Sequence, residues 1–497
     1  MPENNCLCTI KLRFSHASKF NSFVKSNLQT KSQENMIKIF KYFLLFIAAM
    51  LSIALIYLAI TFPPIMSGMA AKTMCSCVYV LGRTSESVRE KELTVVPGLS
   101  SATIEFIDST AVTASFFWST SKAIYRKGLG CTLLAERTGE EIRSQTPALS
   151  TPPANDPDTI AWPMGNVLKD SPPQGVNYEL VESAIQEAFE ESDPTKPKNT
   201  LAVVVLYQGQ IIGEKLAPGF DVNSKFMGWS MTKGLTSALV GILVKEGKLS
   251  IDQPAPVAEW QNDERKNIKL TDLLHGSSGL AWNEIYFLPG DFHNMFIHSD
   301  DKGGYAASKE LEYKPNQFFE YSSGTANLIS KIIRQTVGEA NYPRFAYEKF
   351  FYKIGMYHTL IELDASGTMV GSSYGYASAR DWARFGLLYL NDGILNGERI
   401  LPEGWVKYTL TPAPAAPIGQ YGAMFWLNAG AKSNPEQSYH PGLPHDEYGA
   451  EGFENQYVFI IPSRQLVVVR LGVSHHGFDM TGLTQKIINA LPETKPQ

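Results

Sequence analysis

The pattern of hydrophobic and polar positions is least ambiguous near the N-terminus. Residues 42–62 (YFLLFIAAMLSIALIYLAITF) form one apolar run without a charged residue, and about 20 such residues suffice for a helix to cross a bilayer. Positive residues tend to stay on the cytoplasmic side. Those that precede the run are Lys11, Arg13, Lys19, Lys25, Lys31, Lys38 and Lys41. We therefore expect a cytoplasmic segment over residues 1–41, a transmembrane anchor over residues 42–62, and a main body that is periplasmic or extracellular.

Two alternatives to a retained anchor stay open. Met36 could begin a shorter chain in which the run is a cleaved signal peptide, with the small residues of SGMAA after it. The apolar core of a signal peptide is ordinarily about 7 to 15 residues, which is shorter than this run. A buried core helix is the second alternative, and the lysines beside an uninterrupted run disfavour it.

Short apolar runs after the anchor predict a small accessory region over residues 63–142. The runs CVYVLG and AVTASFFW, separated by turn residues, are typical of strands. Residues 143–176 are dense in Pro, Ser, Thr and Asp, which favours an extended linker or a loop that lies over a neighbouring domain. We place a domain boundary there and a second domain over residues 177–497.

Helical and strand periods both occur in this second domain. YELVESAIQEAFEE predicts a helix, and TLAVVVLYQGQIIGEKLA predicts two strands that turn at Gln208 and Gly209. Near the C-terminus, QYVFIIPSRQLVVVRLGV predicts two more strands and MTGLTQKIINAL a final helix. Strands from both ends could share one sheet. Between about Thr271 and Trp405, loops alternate with helical segments, of which RDWARFGLLYL is the clearest.

Composition excludes some classes of function. With 497 residues, 44% of them hydrophobic, the chain can bury a large core. Its net charge is only -5, and no dense Lys/Arg run with interleaved aromatic residues occurs, so a nucleic-acid partner has little support.

The cysteines and histidines do not predict a metal site. Cys75 and Cys77 lie beyond the predicted membrane, where oxidation allows one disulfide to Cys131, whereas Cys6 and Cys8 lie on the cytoplasmic side. A zinc site built from CSC and one distant cysteine lacks a fourth ligand. The histidines without metal-ligand spacing, which we interpret as exposed or loop residues, are His293, His298, His475 and His476.

Three sequence elements carry candidate chemistry. In MGWSMTKGLTSALVGILVKEGK, Ser230 and Lys233 lie three positions apart at the start of an amphipathic helix, so their side chains share one face. A partly desolvated lysine loses its proton readily enough to act as a base for a serine nucleophile. The alternative is a helix N-cap serine beside a solvated lysine.

The second element is FFEYSSGTANLISKII, in which Tyr321 precedes two serines and a helix. A phenol can relay protons when cations lower its pKa, although an aromatic residue packed on a loop has the same pattern. The third element, DEYGAEGFENQYVFIIP, is a glycine-containing approach to a strand that would let a carbonyl come close to backbone N–H groups.

In this order, the three elements resemble the serine hydrolases related to class C β-lactamases, a family that includes DD-peptidases, esterases and 6-aminohexanoate-dimer hydrolases. The resemblance covers about residues 200–491 and includes LSIDQPAPVAEW, IKLTDLLHGSSGL and YVFIIPSRQLVVVRLG in the expected order. It implies an α+β fold of the β-lactamase/transpeptidase type, in which an antiparallel sheet carries helices on its faces and a mostly helical region closes the cleft. It implies no metal and no cofactor.

The resemblance also implies roles for particular positions. Ser230 corresponds to the acyl-forming nucleophile, Lys233 to its activator, and Tyr321 to the general acid/base for the leaving group and later for water. The backbone N–H groups of Ser230 and Phe453 correspond to the oxyanion hole.

The chain departs from the family at its expected substrate contacts. Counting back from YVFIIP places the family's Lys-Thr-Gly or His-Thr-Gly triplet at Ala450, Glu451 and Gly452, so an alanine replaces the cation that holds a substrate carboxylate. His445 is near enough in sequence to compensate. Ser323 replaces the asparagine of Tyr-x-Asn, whose amide can orient an acylamido side chain. Esters or small amides are therefore expected as substrates in preference to β-lactams.

Two functional hypotheses follow from these elements. The first is a membrane-anchored serine hydrolase that cleaves a small-molecule or peptide-like acyl substrate through an acyl-enzyme. The second, motivated by the altered triplet, is a catalytically silent binding protein of the same fold that recognises cell-wall or peptide fragments. Retention of Ser230, Lys233 and Tyr321 favours the enzyme. The flanking residues GWSMT are not a Gly-x-Ser-x-Gly elbow, so an α/β-hydrolase has no support.

Overall fold

A computed structural model describes residues 9–154, 156–434 and 436–493. The chain divides into two compact units, residues 1–63 and 64–497. Cys6 and Cys8 lie outside the described residues, as do the first eight positions of the expected cytoplasmic segment.

The first element is a long helix, α1 (Thr9–Cys75), which contains the apolar run. Its most apolar 18-residue window has a mean hydropathy of 2.8, and none of that window is buried. By length and composition the helix suits a membrane span or a signal anchor, and its orientation in a membrane stays a prediction.

The accessory region contains a four-stranded antiparallel sheet in the order β1-β2-β3-β4. Its elements are α2 (Ser85–Glu90), β1 (Thr103–Asp108), β2 (Ala111–Phe116), β3 (Ser119–Arg126), β4 (Gly130–Leu133) and α3 (Gly139–Ser144). The expected strand at CVYVLG is wrong, because α1 continues there as a π-helical turn, Ser76–Val80. A disulfide joins Cys75 to Cys131 in β4 and leaves Cys77 as a buried free thiol.

A six-stranded antiparallel sheet forms the centre of the second unit, in the order β12-β13-β14-β15-β5-β6. Its strands are β5 (Thr200–Tyr207), β6 (Gln210–Leu216), β12 (Trp426–Leu427), β13 (Tyr448–Gly452), β14 (Gln456–Ile461) and β15 (Leu466–Gly472). The predicted turn between β5 and β6 is confirmed, because Gln208 and Gly209 both have positive φ, as a tight hairpin requires. Strands from both ends of the domain share this sheet, as expected.

Helices cover both faces of the central sheet. Successive residues of β5 point to opposite faces, and all of them are buried. One face packs on α4 (Tyr178–Phe189) and α13 (Met480–Asn489), and the other packs on α5 (Thr232–Lys245) and α11 (Ala379–Leu390). The α+β fold and the predicted terminal helices are therefore confirmed.

Apart from β7, which precedes α5, the remaining elements lie between α5 and β12 and build the helical region beside the sheet. The helices are α6 (Leu270–Leu274), α7 (Asp291–His298), α8 (Lys302–Ala307), α9 (Ser323–Val337), α10 (Tyr342–Ala346) and α12 (Trp405–Thr409). Two small sheets are formed by β7 (Lys225–Met227), β8 (Leu360–Ile361) and β9 (Gly375–Ser378), and by β10 (Ile394–Leu395) with β11 (Glu398–Arg399).

Residues 143–176, where the sequence analysis placed a domain boundary, do not separate two compact units. The described part of this segment is mostly irregular. It packs on α11, where Arg384 donates hydrogen bonds to the carbonyls of Pro163 and Gly165, each at 2.6 Å. Trp162 Nε1 donates to the carbonyl of Gly209 at 2.8 Å. The segment is therefore a loop that lies over the neighbouring structure.

A buried ion pair joins the C-terminal part of α1 to Glu362, the residue that follows β8. Lys72 pairs with Glu362, which is fully buried and also accepts hydrogen bonds from Ser76 Oγ, the Cys131 N–H and the Tyr376 hydroxyl. Burial lowers the pKa of Lys72, and the Glu362 carboxylate opposes that shift. The Glu362 carboxylate thus joins the end of α1 and β4 to β9.

We expect Glu362→Ala to lower the free energy of unfolding by about 3 to 5 kcal/mol, because it leaves a buried ammonium without its partner. Glu398, which pairs with Lys353 at 3.1 Å where both side chains are about half exposed, offers a matched control. Glu398→Ala should change stability by less than about 1 kcal/mol. Denaturant unfolding of both variants measures the difference, and equal effects would contradict a stabilising role for the Glu362 cluster.

Candidate active site

Ser230 lies in a short 3-10 turn, Trp229–Met231, that leads directly into α5. The residue before it, Trp229, has a φ of 47°, a left-handed conformation that a tryptophan rarely adopts. Hydrogen bonds hold this conformation, because Thr232 Oγ1 donates to the carbonyl of Trp229 at 2.6 Å and accepts from the Gly375 N–H at 2.9 Å. Such strain is concentrated at functional sites in proteins.

Lys233 is the centre of the hydrogen bonds around Ser230. Its Nζ lies 3.0 Å from Ser230 Oγ, 3.2 Å from Ser323 Oγ and 3.0 Å from the carbonyl oxygen of Ser372. Burial lowers the pKa of Lys233 to about 8, although the carboxylate of Glu284 opposes the shift. About a tenth of this lysine is therefore an uncharged amine at pH 7, and that form can accept the proton of Ser230.

Tyr321 completes a triangle with Ser230 and Lys233. Its ring centroid lies 4.7 Å from Lys233 Nζ, and the Ser230 side chain is close enough to oppose the rise that burial causes in the pKa of the Tyr321 phenol. The ring stacks on Trp426 at 5.3 Å and packs edge-on against Tyr421 at 5.8 Å, which fixes its orientation.

The charge state of Tyr321 differs from the sequence-based expectation. The expectation was that cations lower its pKa, but burial raises the pKa of Tyr321 well above the ordinary value, with Tyr421 and Tyr286 adding to the shift. The phenol therefore keeps its proton at all physiological pH values. This suits a group that donates a proton to a leaving group rather than one that begins as a phenolate.

The end of β13 approaches the turn that carries Ser230. A Cβ atom on Gly452 would lie 2.2 Å from the carbonyl oxygen of Gly228, so only glycine permits this approach. The next residue, Phe453, packs its ring edge-on against Trp229 with centroids 5.5 Å apart. This brings the backbone of Phe453, a predicted oxyanion donor, to the turn that contains Ser230.

Sequence reasoning missed Glu284, which is linked to the triangle through Ser323. Ser323 Oγ, the partner of Lys233, lies 2.5 Å from Glu284 Oε1, and the Ser323 N–H donates to Oε2 at 2.9 Å. Trp282 Nε1 and the Tyr286 hydroxyl also donate to this carboxylate. Ser323 was expected to contact substrate but bridges a base and a carboxylate instead. A single glutamate in a loop has no spacing pattern that would have identified it.

Comparison with known proteins places this arrangement in a family. The family model described as Beta-lactamase matches residues 187–490, which is more than half of the chain. The chain belongs to the Beta-lactamase family.

A curated relative in this Beta-lactamase family is the 6-aminohexanoate-dimer hydrolase of Paenarthrobacter ureafaciens, which is 22% identical over 306 residues covering 55% of this chain and 72% of the relative. A family VIII carboxylesterase is structurally similar with a TM-score of 0.50 and 16% identity, over 64% of this chain and 98% of that one. EstCE1, a hydrolase with promiscuous acyltransferase activity, matches with a TM-score of 0.50 and 15% identity, over 63% and 97% of the two chains. At these identities, the solved structures show a shared fold alone.

Ala450 and Glu451 occupy two positions of the family's triplet, where substrate contacts were expected, and both have protein neighbours. Ala450 is buried in the core cluster that includes α5, and it supplies only a methyl group. Glu451 lies 3.2 Å from His440 Nε2, and His440 Nδ1 lies 2.9 Å from Glu447. Burial lowers the pKa of His440, but its hydrogen bonds to Glu447 and Glu451 outweigh that effect and raise the pKa to about 9. Glu451 therefore belongs to an ion-pair cluster.

The other histidines also have local partners. The ring nitrogen of His445 faces the carbonyl of Asn428 at 3.2 Å, so His445 does not replace the missing cation. His293 is buried in α7, which corrects the expectation of an exposed or loop residue, whereas His475 lies in a turn as expected and pairs with Glu454 at 2.6 Å. Among the described residues, no group of three or more His, Cys, Asp or Glu side chains could hold a metal ion.

Glu284→Gln should move the reactivity of Ser230 to lower pH, because the Glu284 carboxylate raises the pKa of Lys233 and the amide does not. In the wild type, the rate of labelling by a fluorophosphonate should rise with pH and reach half its maximum near the Lys233 pKa of about 8. Glu312→Gln removes an exposed carboxylate elsewhere and should leave this midpoint unchanged. An unshifted midpoint in Glu284→Gln would show that Glu284 does not act on Lys233.

Proposed function

We propose that this chain hydrolyses an ester or a small amide through an acyl-enzyme formed on Ser230. The observation that carries the proposal is the 3.0 Å contact between Ser230 Oγ and the buried Lys233 Nζ, whose pKa is about 8. The contact pairs a nucleophile with a base that is partly uncharged at neutral pH. Membership of the Beta-lactamase family and the hydrolase activities of the relatives support the same reaction class.

The acylation step follows from the positions of the three side chains. Uncharged Lys233 takes the proton of Ser230 as Oγ attacks the carbonyl carbon, and the N–H groups of Ser230 and Phe453 stabilise the resulting oxyanion. Tyr321 then donates its proton to the departing alkoxide or amine, and the Lys233 ammonium returns a proton to the phenol.

Deacylation uses the same groups in the reverse direction. Lys233 is again uncharged after the first step, so it can accept the proton of an attacking water, either directly or through Tyr321. Collapse of the second tetrahedral intermediate returns a proton to Ser230 Oγ and releases the carboxylic acid. No external redox partner or metal is required for either step.

The substrate class follows from the missing cation. Ala450 offers no charge to a substrate carboxylate, and the carboxylate of Glu284 is joined to the triangle through Ser323. Burial and the neighbouring Glu284 raise the pKa of Glu320 to about 7. An uncharged ester or amide avoids repulsion in this cleft, whereas a penicillin carboxylate does not.

Ser230→Ala should abolish fluorophosphonate labelling and reduce nitrophenyl-ester turnover to background, because the attacking oxygen is removed. Lys233→Met, which keeps an unbranched side chain one atom shorter but cannot accept a proton, should lower kcat by about 10² to 10⁴. Ser224→Ala, a serine just upstream of β7, should be as active as wild type. Absent labelling and turnover in a folded wild-type protein would refute the hydrolase and favour the silent binding protein.

We also propose that the catalytic unit lies on the periplasmic or extracellular side of a membrane. The Cys75–Cys131 disulfide supports an oxidising compartment, and the lysines before residue 42 support a cytoplasmic N-terminus. Bacterial alkaline phosphatase needs oxidation to be active, so its fusion to the C-terminus should be active in cells. Phosphatase activity only after export is forced by an added signal peptide would contradict this orientation.

A further inference from the structure

A cavity adjoins Trp229–Met231, the turn that carries Ser230. Most of the residues that line it have no role in the proposed reaction. Trp229 and Phe453 line it, and these residues flank the nucleophile and supply the predicted oxyanion donor. The side chains of Ser230, Lys233 and Tyr321 do not line it. The empty space is about 670 Å³, part of it open to solvent. The cavity therefore lies next to the turn that carries Ser230 and is reached from it past Trp229 and Phe453.

Several polar side chains of the cavity are already paired with protein groups. Arg83 Nη1 lies 2.6 Å from Glu92, and Glu454 lies 2.6 Å from His475. Gln456 donates through its side-chain amide to the carbonyls of Phe453, Glu454 and Gly472. These groups are satisfied and have little to offer a polar ligand, whereas Lys225 and Thr73 also line the cavity and add one cation and one hydroxyl to its wall.

Apolar side chains form most of the rest of the wall. Met69, Leu81, Val95 and Phe220 all line the cavity and all keep partial exposure through it. Apolar groups in a concave surface beside a reaction centre are characteristic of small-molecule binding sites. The cavity is narrow, because the space that the centre of a water molecule could occupy is only about 50 Å³, which suits a slim hydrocarbon chain better than a ring.

Part of this wall comes from outside the region that defines the family. The Beta-lactamase match begins at residue 187, whereas Met69, Thr73, Val95 and Leu99 belong to the accessory region. The accessory region is attached to the body beside this wall by the Lys72–Glu362 pair. The cavity is thus a feature of this chain rather than of the matched domain alone.

We propose that this cavity binds the hydrocarbon chain of the acyl group, so that the substrates are esters or amides of medium-chain aliphatic acids. The inference rests on the proposed function, because it identifies the acyl group that Ser230 carries in the acyl-enzyme. During acylation the leaving group departs with the proton of Tyr321 while the acyl carbon stays on Ser230 Oγ. The chain attached to that carbon extends past Trp229 and Phe453 into the apolar space.

The test uses the full chain in lipid nanodiscs and a series of nitrophenyl esters from acetate to octanoate. Each methylene that leaves water for apolar surroundings contributes about fourfold. The wild-type kcat/KM should therefore rise on the order of 10²-fold from acetate to hexanoate. Thr73→Phe, which fills the cavity from the accessory side, should lower kcat/KM for hexanoate at least about tenfold and for acetate less than about twofold.

Two further variants control for nonspecific effects of a new side chain. Ser150→Phe fills a different cavity, lined by Tyr347 and Tyr352, and should leave the hexanoate-to-acetate ratio unchanged. Met69→Ala enlarges the proposed site without adding bulk, so it should shift the preference toward octanoate even if Thr73→Phe does not fold. A ratio that neither Thr73→Phe nor Met69→Ala changes would overturn the proposal.

A binding measurement separates this inference from the proposed function. In the Ser230→Ala background, calorimetric titration with hexanamide should show binding that Thr73→Phe weakens at least about tenfold. Binding of hexanamide together with an absence of ester turnover by the wild type would overturn the hydrolase and support the cavity. Turnover without chain-length preference, and without hexanamide binding, would support the hydrolase and overturn the cavity.

Discussion

The proposed chemistry of this protein depends on the burial of one amine. Lys233 is almost fully enclosed, and burial lowers its pKa to about 8 against the opposing pull of Glu284. The desolvation effect is the larger of the two, so the amine can be uncharged while still held by three oxygen atoms. The negative charge of Glu284, whose carboxylate also hydrogen-bonds to Ser323 beside Lys233, limits the shift and keeps the lysine pKa near the pH at which a base is useful.

A rigid backbone frame presents Ser230 to that amine. The left-handed Trp229 turns the chain sharply before the nucleophile, and Gly452 allows β13 to approach the same turn. The accessory region extends the frame, because the buried Lys72–Glu362 pair attaches α1 beside the small sheet that supports the turn. The N-terminal region can therefore shape the acyl side of the cleft as well as carry the apolar run.

The departures from the family pattern have different physical consequences. Ala450 removes a cation and leaves a buried methyl group, which affects the charge of substrates the cleft tolerates. The carboxylate of Glu451 pairs with His440, so its negative charge has little influence on the triangle. Ser323 loses the geometry of an amide but gains a bridging role between Lys233 and Glu284. The reaction class depends on the triangle, whereas the substrate class depends on these surrounding positions.

Local spacing in the sequence determined the features that depend on neighbours in the chain. The helical spacing of three residues predicted that Ser230 and Lys233 share one face. The strand periodicity on both sides of Gln208 and Gly209 predicted the β5–β6 hairpin. Tertiary structure alone selected Cys75 over Cys77 for the disulfide, joined Lys72 to Glu362 290 positions away, and brought Glu284 to Ser323. Periodicity reports only how a residue is oriented on its own element. Which distant groups meet, and how strongly burial shifts a pKa, follows from packing between elements.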